Sequence, residues 1–273
     1  MRYWIFLIAV LLTGCEDGGV ADASIWQICE KYPDICEATH SGALCSIDRS
    51  DVIRNLAKQK EQLSSITTYL ALKSLDNYKG CLENAFISEA VRNKSDKQSQ
   101  ITTIQNIPQL QQSLVVSTRT LYRPEVNLWL WTKSQHQNNW DSMVNGFESA
   151  EQVHLDVYLA LMTEAAERDL PKALEYARMA LQQADVIKDI PAPVYEFYIG
   201  YYLQQNELEK AAIWQGLYSA LDEEKANVNG RYFRLNQQMT PSQIQAAQDA
   251  VDQLLFDAKW LNKTMSSFPK DLK

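Results

Sequence analysis

From Leu155 onward the apolar side chains fall into helical registers that then repeat. Leu155, Tyr158, Leu159, Met162 and Ala166 recur at three- and four-residue spacing, which lays them along one face of a helix. Asp169, Leu170 and Pro171 follow, an acid able to cap a helix and a proline where the first turn tolerates one. Lys172, Ala173 and Tyr176 return thirty-eight residues later as Lys210, Ala211 and Trp214, each set preceded by an aromatic-bearing helical stretch. A helical pair that returns in register buries its apolar face only by stacking on the next pair. The pattern predicts an all-α chain of helical hairpins with a repeat-like array in its C-terminal half.

The run DLPKALEYARMAL, residues 169–181, resembles the second helix of a tetratricopeptide repeat. That resemblance covers residues 154–222. It implies that Ala173, Ala177 and Ala180 let paired helices approach closely, and that Tyr195, Tyr198, Ile199 and Tyr202 pack in the next unit. The period departs from the roughly 34 residues usual for that repeat, and the glycine expected near the end of the first helix is absent. A third pair is expected to use Thr240 and Pro241 to open a helix through Ile244, Ala247, Val251, Leu254 and Leu255 to about Lys263. Residues 266–273 read as a loose tail.

The chain begins with a different signal. Arg2 is the only charge before position 16, and residues 3–12 are ten unbroken apolar side chains. That length suits the core of a secretory leader and is too short for a bilayer, which needs ~20 residues. It runs into Leu12, Thr13, Gly14 and Cys15. These residues resemble the lipobox of bacterial lipoproteins. The resemblance implies cleavage after residue 14, a diacylglycerol on the Cys15 thiol and an acylated amine. An ordinary secretory leader with a chance cysteine is the plainer alternative. Two or more acyl chains hold a protein stably on a membrane, whereas one does so only marginally. In lipoprotein sorting, Asp directly after the lipidated cysteine retains a protein in the inner membrane; here that place is Glu16. The expectation is the periplasmic leaflet of the outer membrane, with the inner membrane as the alternative. Residues 16–23 read as a tether reaching at most about 30 Å.

With Cys15 assigned to lipid, Cys29, Cys36, Cys45 and Cys81 remain. An even number suits disulfides in an oxidising compartment. A zinc site is disfavoured, because the intervals of six, eight and thirty-five residues contain no Cys-x-x-Cys and no histidine pair. Ser24 is a helix cap and Pro33 a stop. Asp48 or Ser50 should open a helix carrying Val52, Ile53 and Leu56, and a second helix should carry Leu72, Leu75, Tyr78, Leu82 and Phe86. If the chain turns at Leu63, Cys45 and Cys81 lie eighteen residues to either side, so equal helical arms bring them level. Cys45–Cys81 is then the preferred bridge and Cys29–Cys36 the local one, among three possible pairings. Residues 91–100 read as a loop. Pro108 should break the following segment, with a helix from there to about Thr118. Pro124 should open another helix, bearing Trp129 and Trp131. Trp140, Met143, Val144, Phe147 and Ala150 form a further helical stripe. The expected organisation is a leader over 1–14, a lipidated tether over 15–23, a Cys-containing helical region over 24–122, a repeat-like region over 123–265 and the tail.

The formal net charge is −8, and loss of the leader with Arg2 makes it −9. An acidic chain without a basic block is a poor nucleic-acid ligand, since phosphate binding depends on clustered Lys and Arg. Motifs for catalysis are weak. Glu151 and His154 have the Glu-x-x-His spacing of di-iron bundles, but such sites need two copies and further glutamates. Ser267 and Lys270 match Ser-x-x-Lys, which must open a buried helix; Pro269 and the nearby chain end forbid that. His40 and His136 stand alone. Glu164, Glu167 and Asp169 read as a wet helix edge and a cap. The tyrosines at 195, 198, 201 and 202 suit either a helical core or a peptide groove. No catalytic, cofactor or metal residue is assigned and no cofactor is expected. As a whole the chain resembles an uncharacterised family of Gram-negative lipoproteins. The expected function is a non-catalytic scaffold or adaptor, lipid-anchored through Cys15 and binding envelope proteins or peptides. The alternative is an enzyme acting on peptidoglycan or another envelope glycan through paired carboxylates.

Overall fold

The computed structural model describes residues 20, 22–39, 45–88, 94–121, 123–221, 235, 237–261 and 272. These are all-helical, without a strand, and they divide into two compact units, 1–150 and 151–273.

In the first unit, α1 (Ile25–Lys31) starts where the sequence predicts. The Ser24 hydroxyl accepts from the Gln27 N–H, and the Gln27 side chain accepts from the Ser24 N–H at 2.7 Å, forming a reciprocal cap. Pro33 ends α1 and occupies the first turn of α2 (Pro33–Glu37). Helix α3 (Ser46–Glu61) begins earlier than Asp48 or Ser50, with Cys45 at its N-cap in the left-handed region at φ 59°. At the other end, Gln62 is extended, the chain turns over residues 62–64, and α4 (Ser65–Ser88) returns antiparallel. Ser64 and Thr67 exchange side chain-to-backbone hydrogen bonds at 3.0 and 3.1 Å to open α4. Val52, Ile53, Leu56 and Ala57 of α3 meet Leu72, Leu75, Tyr78 and Leu82 of α4, with Ile28 and Ile35 covering them.

Helix α5 (Lys94–Ser117) corrects two expectations. Residues 94–100 are helical rather than loop, and Pro108 lies inside the helix without ending it. Pro108 forfeits one backbone hydrogen bond, to the Ile104 carbonyl. Gln100, Thr103, Ile107, Gln111 and Leu114 are nevertheless buried at helical spacing, and Pro108 itself faces outward. Burial of that stripe against α4 outweighs the proline. Helices α6 (Pro124–Ser134) and α7 (Gln137–Ser149) form a close hairpin. A Cβ on Gly146 would stand 3.3 Å from Pro124, so the crossing suits glycine.

Val20 departs from the reading of 16–23 as a free tether. It is buried in the same core, as the one large apolar side chain in that stretch.

The second unit pairs α8 (Leu155–Ala166) with α9 (Leu170–Gln182), and α10 (Ala192–Gln204) with α11 (Leu208–Leu221). Asp169 caps α9, its carboxylate accepting from the Lys172 N–H at 3.1 Å. Ala173, Ala177 and Ala180 are fully buried, so α9 packs through its small face. Helix α12 (Pro241–Leu261) crosses α11 so tightly that a Cβ on Gly216 would lie 2.7 Å from Val251. Leu272 is buried, and its carbonyl accepts from the Trp214 indole at 3.1 Å, so the segment read as a loose tail has a packed residue.

Candidate functional site

The four remaining cysteines form two bridges, both in the first unit. Cys29 is bonded to Cys36, with Cα atoms 5.6 Å apart, and Cys45 to Cys81, with Cα atoms 5.9 Å apart. Cys15 lies outside the described residues. The Asp48 carboxylate comes within 4.8 Å of the Cys45 and Cys81 sulfurs. A metal at that cluster would need free thiolates, and the bridge consumes them.

The Cys29–Cys36 bridge pins α2 to α1 and so fixes Ala38 and Thr39 just beyond α2. The Thr39 hydroxyl donates to the Cys36 carbonyl at 3.0 Å and accepts from the Arg49 guanidinium at 3.1 Å. Thr39 then forms one wall of a cleft of about 290 Å³. Leu75 and Tyr78 of α4 and Ile107 and Leu110 of α5 make its apolar floor, while Asn106, Gln109 and Ser113 line the α5 side. The Ser113 hydroxyl turns back onto the Leu110 carbonyl at 2.7 Å, leaving the two amides as outward-facing polar groups of that wall. The lining holds no carboxylate, histidine, lysine or arginine. It can take an apolar side chain and orient a neighbouring amide; it has no acid–base pair.

One residue beyond Leu75, a polar node holds the helices that frame the cleft. The Asp76 carboxylate accepts from Gln111 at 2.9 Å, from the Trp129 indole at 2.7 Å and from Lys133 at 2.9 Å. Lys133 also lies over the Trp129 ring, 5.6 Å from its centroid. Asp76 therefore ties α4, α5 and α6 together. Sequence reasoning missed it; an acid within the Leu72–Leu75–Tyr78 stripe was the available signal.

Among the tyrosines, Tyr195, Tyr198 and Tyr202 are core, while Phe197 and Tyr201 are half-buried on the outer side of α10. Tyr198 stacks on Trp214 with centroids 4.4 Å apart, and Tyr195 stacks on Tyr218 at 5.2 Å. The Tyr195 hydroxyl donates to the Ile187 carbonyl at 2.8 Å. Burial pushes the Tyr195 and Tyr198 hydroxyls well above the ordinary phenol range. These rings do not line an open groove.

His154 caps α8, its Nδ1 accepting from the Asp156 N–H at 3.2 Å, which places the Glu151/His154 pair at a helix start. His136 is exposed at the N-cap position of α7. Glu164 pairs with Arg168 at 2.8 Å on the surface, and Glu167 ends α8. His40, Ser267 and Lys270 lie outside the described residues. Among the described residues, no helix is long and apolar enough to cross a membrane.

The chain belongs to the family described as "Protein of unknown function (DUF2989)", whose sequence model matches residues 12–216. The match spans the Leu12–Cys15 motif, both disulfides, the cleft, the first helical pair of the second unit and the second pair as far as Gly216. No curated protein and no solved structure matches the chain.

Proposed function

We propose that this protein is a non-catalytic adaptor, held by lipid on Cys15 at the periplasmic face of the outer membrane, that seats a segment of an envelope protein in the cleft between α4 and α5. The observation that carries the reading is the lining of that cleft: an apolar floor beside uncharged amides, suited to one or two side chains of a bound segment. Two supporting facts concern the location. Disulfides form and persist in oxidising compartments, and this chain has two. The apolar run of residues 3–12 leads into Leu12, Thr13, Gly14 and Cys15, which resemble a lipobox. Glu16 in place of Asp favours the outer over the inner membrane, and membrane fractionation tests that choice.

Site-specific photo-crosslinking in intact cells tests the cleft. A benzophenone side chain at Asn106 or Gln109 should capture a protein, and Ala38→Trp, which fills the cleft from its exposed edge, should abolish the adduct. Equal capture from Glu148 on α7 would reject the cleft as the site. Capture of peptidoglycan fragments in place of protein would move the function to the envelope-glycan class.

A further inference from the structure

We propose that one end of the first unit, formed by the last turns of α3 and α5 and the Gln62–Ser64 turn, rests on the phospholipid surface that carries the Cys15 anchor. The proposal depends on the lipid-anchor reading above and adds which face of the domain meets the bilayer.

The first observation is where the chain enters the fold. Val20 is buried, and its backbone N–H joins the Lys31 ammonium and the Tyr32 hydroxyl at the Glu61 carboxylate. Lys31 is the main reason Glu61 is held below the usual carboxylate range, with desolvation opposing it. Glu61 ends α3 two residues before Leu63. Val20 is only five positions beyond Cys15, so the lipid would lie at most about 18 Å from this corner. A leash that short presents one end of the domain to the bilayer.

The second observation is what that end exposes. Leu63 is 48 % exposed, Val116 42 % and Leu121 37 %. Gln59, four residues before Leu63, donates to the Ser117 hydroxyl at 3.4 Å, which brings the α3 and α5 termini side by side. Half-exposed aliphatic side chains of this kind enter the boundary between headgroups and acyl chains.

The third is charge. Lys60 pairs with Asp34 and Lys31 with Glu61, both at 2.7 Å. Lys58 in the last turn of α3, Arg119, and Arg123, whose guanidinium also donates to the Val115 carbonyl at 3.1 Å, outnumber the exposed acids Asp22 and Glu30 near this end of a chain whose net charge is −8. Screening limits surface fields to ~8 Å at physiological salt. The local excess, rather than the total, is therefore what anionic headgroups meet.

The test uses the full-length protein processed in cells, with a benzophenone side chain placed singly at Leu63, Leu121 or Phe86. Phe86 is similarly exposed at the far end of α4, roughly 30 Å from Leu63 by helical rise. After irradiation, intact mass should show phospholipid adducts at 63 and 121 and their loss at 86. Equal adducts at all three positions, or protein adducts at 63 and 121, would overturn the docking face. Acylated Cys15 with no phospholipid adduct at 63 or 121 would overturn it too, while leaving the anchor in place. An unacylated mature chain in the same spectra would overturn both readings. Non-reducing peptide maps retaining Cys45–Cys81 verify that each variant is folded.

Discussion

The two units are built from the same secondary structure and fixed by different forces. The first uses covalent and polar ties: two disulfides, the Asp76 node and the Lys31–Glu61 and Lys60–Asp34 pairs. The second has no cysteine and relies on shape, with Ala173, Ala177 and Ala180 on one helix and Tyr195, Tyr198 and Trp214 stacked between two others. Aromatic stacking fills space, and those rings are buried. Point-like ties can hold helices at a distance, and the cleft lies among the helices so held.

That contrast can be broken in graded steps. The largest effect is expected from Trp214→Ala, which removes a fully buried indole, its stacking on Tyr198 and its bond to the Leu272 carbonyl. A loss of about 5 kcal/mol is expected, the upper end for such truncations; urea unfolding followed by hydrogen exchange should locate it in α10–α12. Removing Cys45 and Cys81 together should cost about 4 kcal/mol, from the loop of 36 residues they close. Here exchange should rise in α3 and α4. If Trp214→Ala were felt equally in both units, the division of labour would be wrong.

The legible and illegible parts of the sequence sort by range. Ser24 and Asp169 act on neighbours three residues away and Pro33 on its own turn, and their roles could be read directly. Leu63 with its equal arms was legible because helical rise is constant, which carries Cys45 to Cys81. Pro108 misled, because its local cost was visible and the burial of Ile107, Gln111 and Leu114 was not. The tyrosine stripe had one period and two meanings, and only its neighbours Trp214 and Tyr218 assign it to the core. The cleft was illegible for the same reason: Thr39 reaches Ile107 and Leu110 only through packing distant in sequence.

Smaller effects sharpen the comparison. Asp76→Asn keeps the size and one acceptor oxygen but loses the charge that Lys133 and the Trp129 indole meet. A loss of about 1–2 kcal/mol is expected, discounted for partial exposure, with weakened capture from Asn106 as the functional readout. The smallest effect is acid sensitivity of the first unit. Lys60 first, for Asp34, and Lys31 first, for Glu61, hold these carboxyls below their ordinary values. A depressed folded-state pKa contributes stability above the unfolded value, about 4, and loses it as pH falls through the folded one. Asp34 is largely exposed and Glu61 partly so, and solvent screens both pairs, so the acid limb should be shallow. It should flatten in a Lys31→Met, Lys60→Met variant, as read by thermal midpoints between neutral and acid pH.

The Cys45–Cys81 bridge has a mechanical side. A lipid at one end and a bound partner at α5 would put the chain under tension, and tension follows the shortest covalent path. That path crosses from one sulfur to the other, bypassing the 36-residue separation between them, or roughly 120 Å of extensible contour. The stretch of α3 and α4 between the two cysteines, which supplies Leu75 and Tyr78 to the floor of the cleft, would bear no axial load through its own backbone. A pull at the membrane would lengthen other segments first and leave that part of the floor in shape.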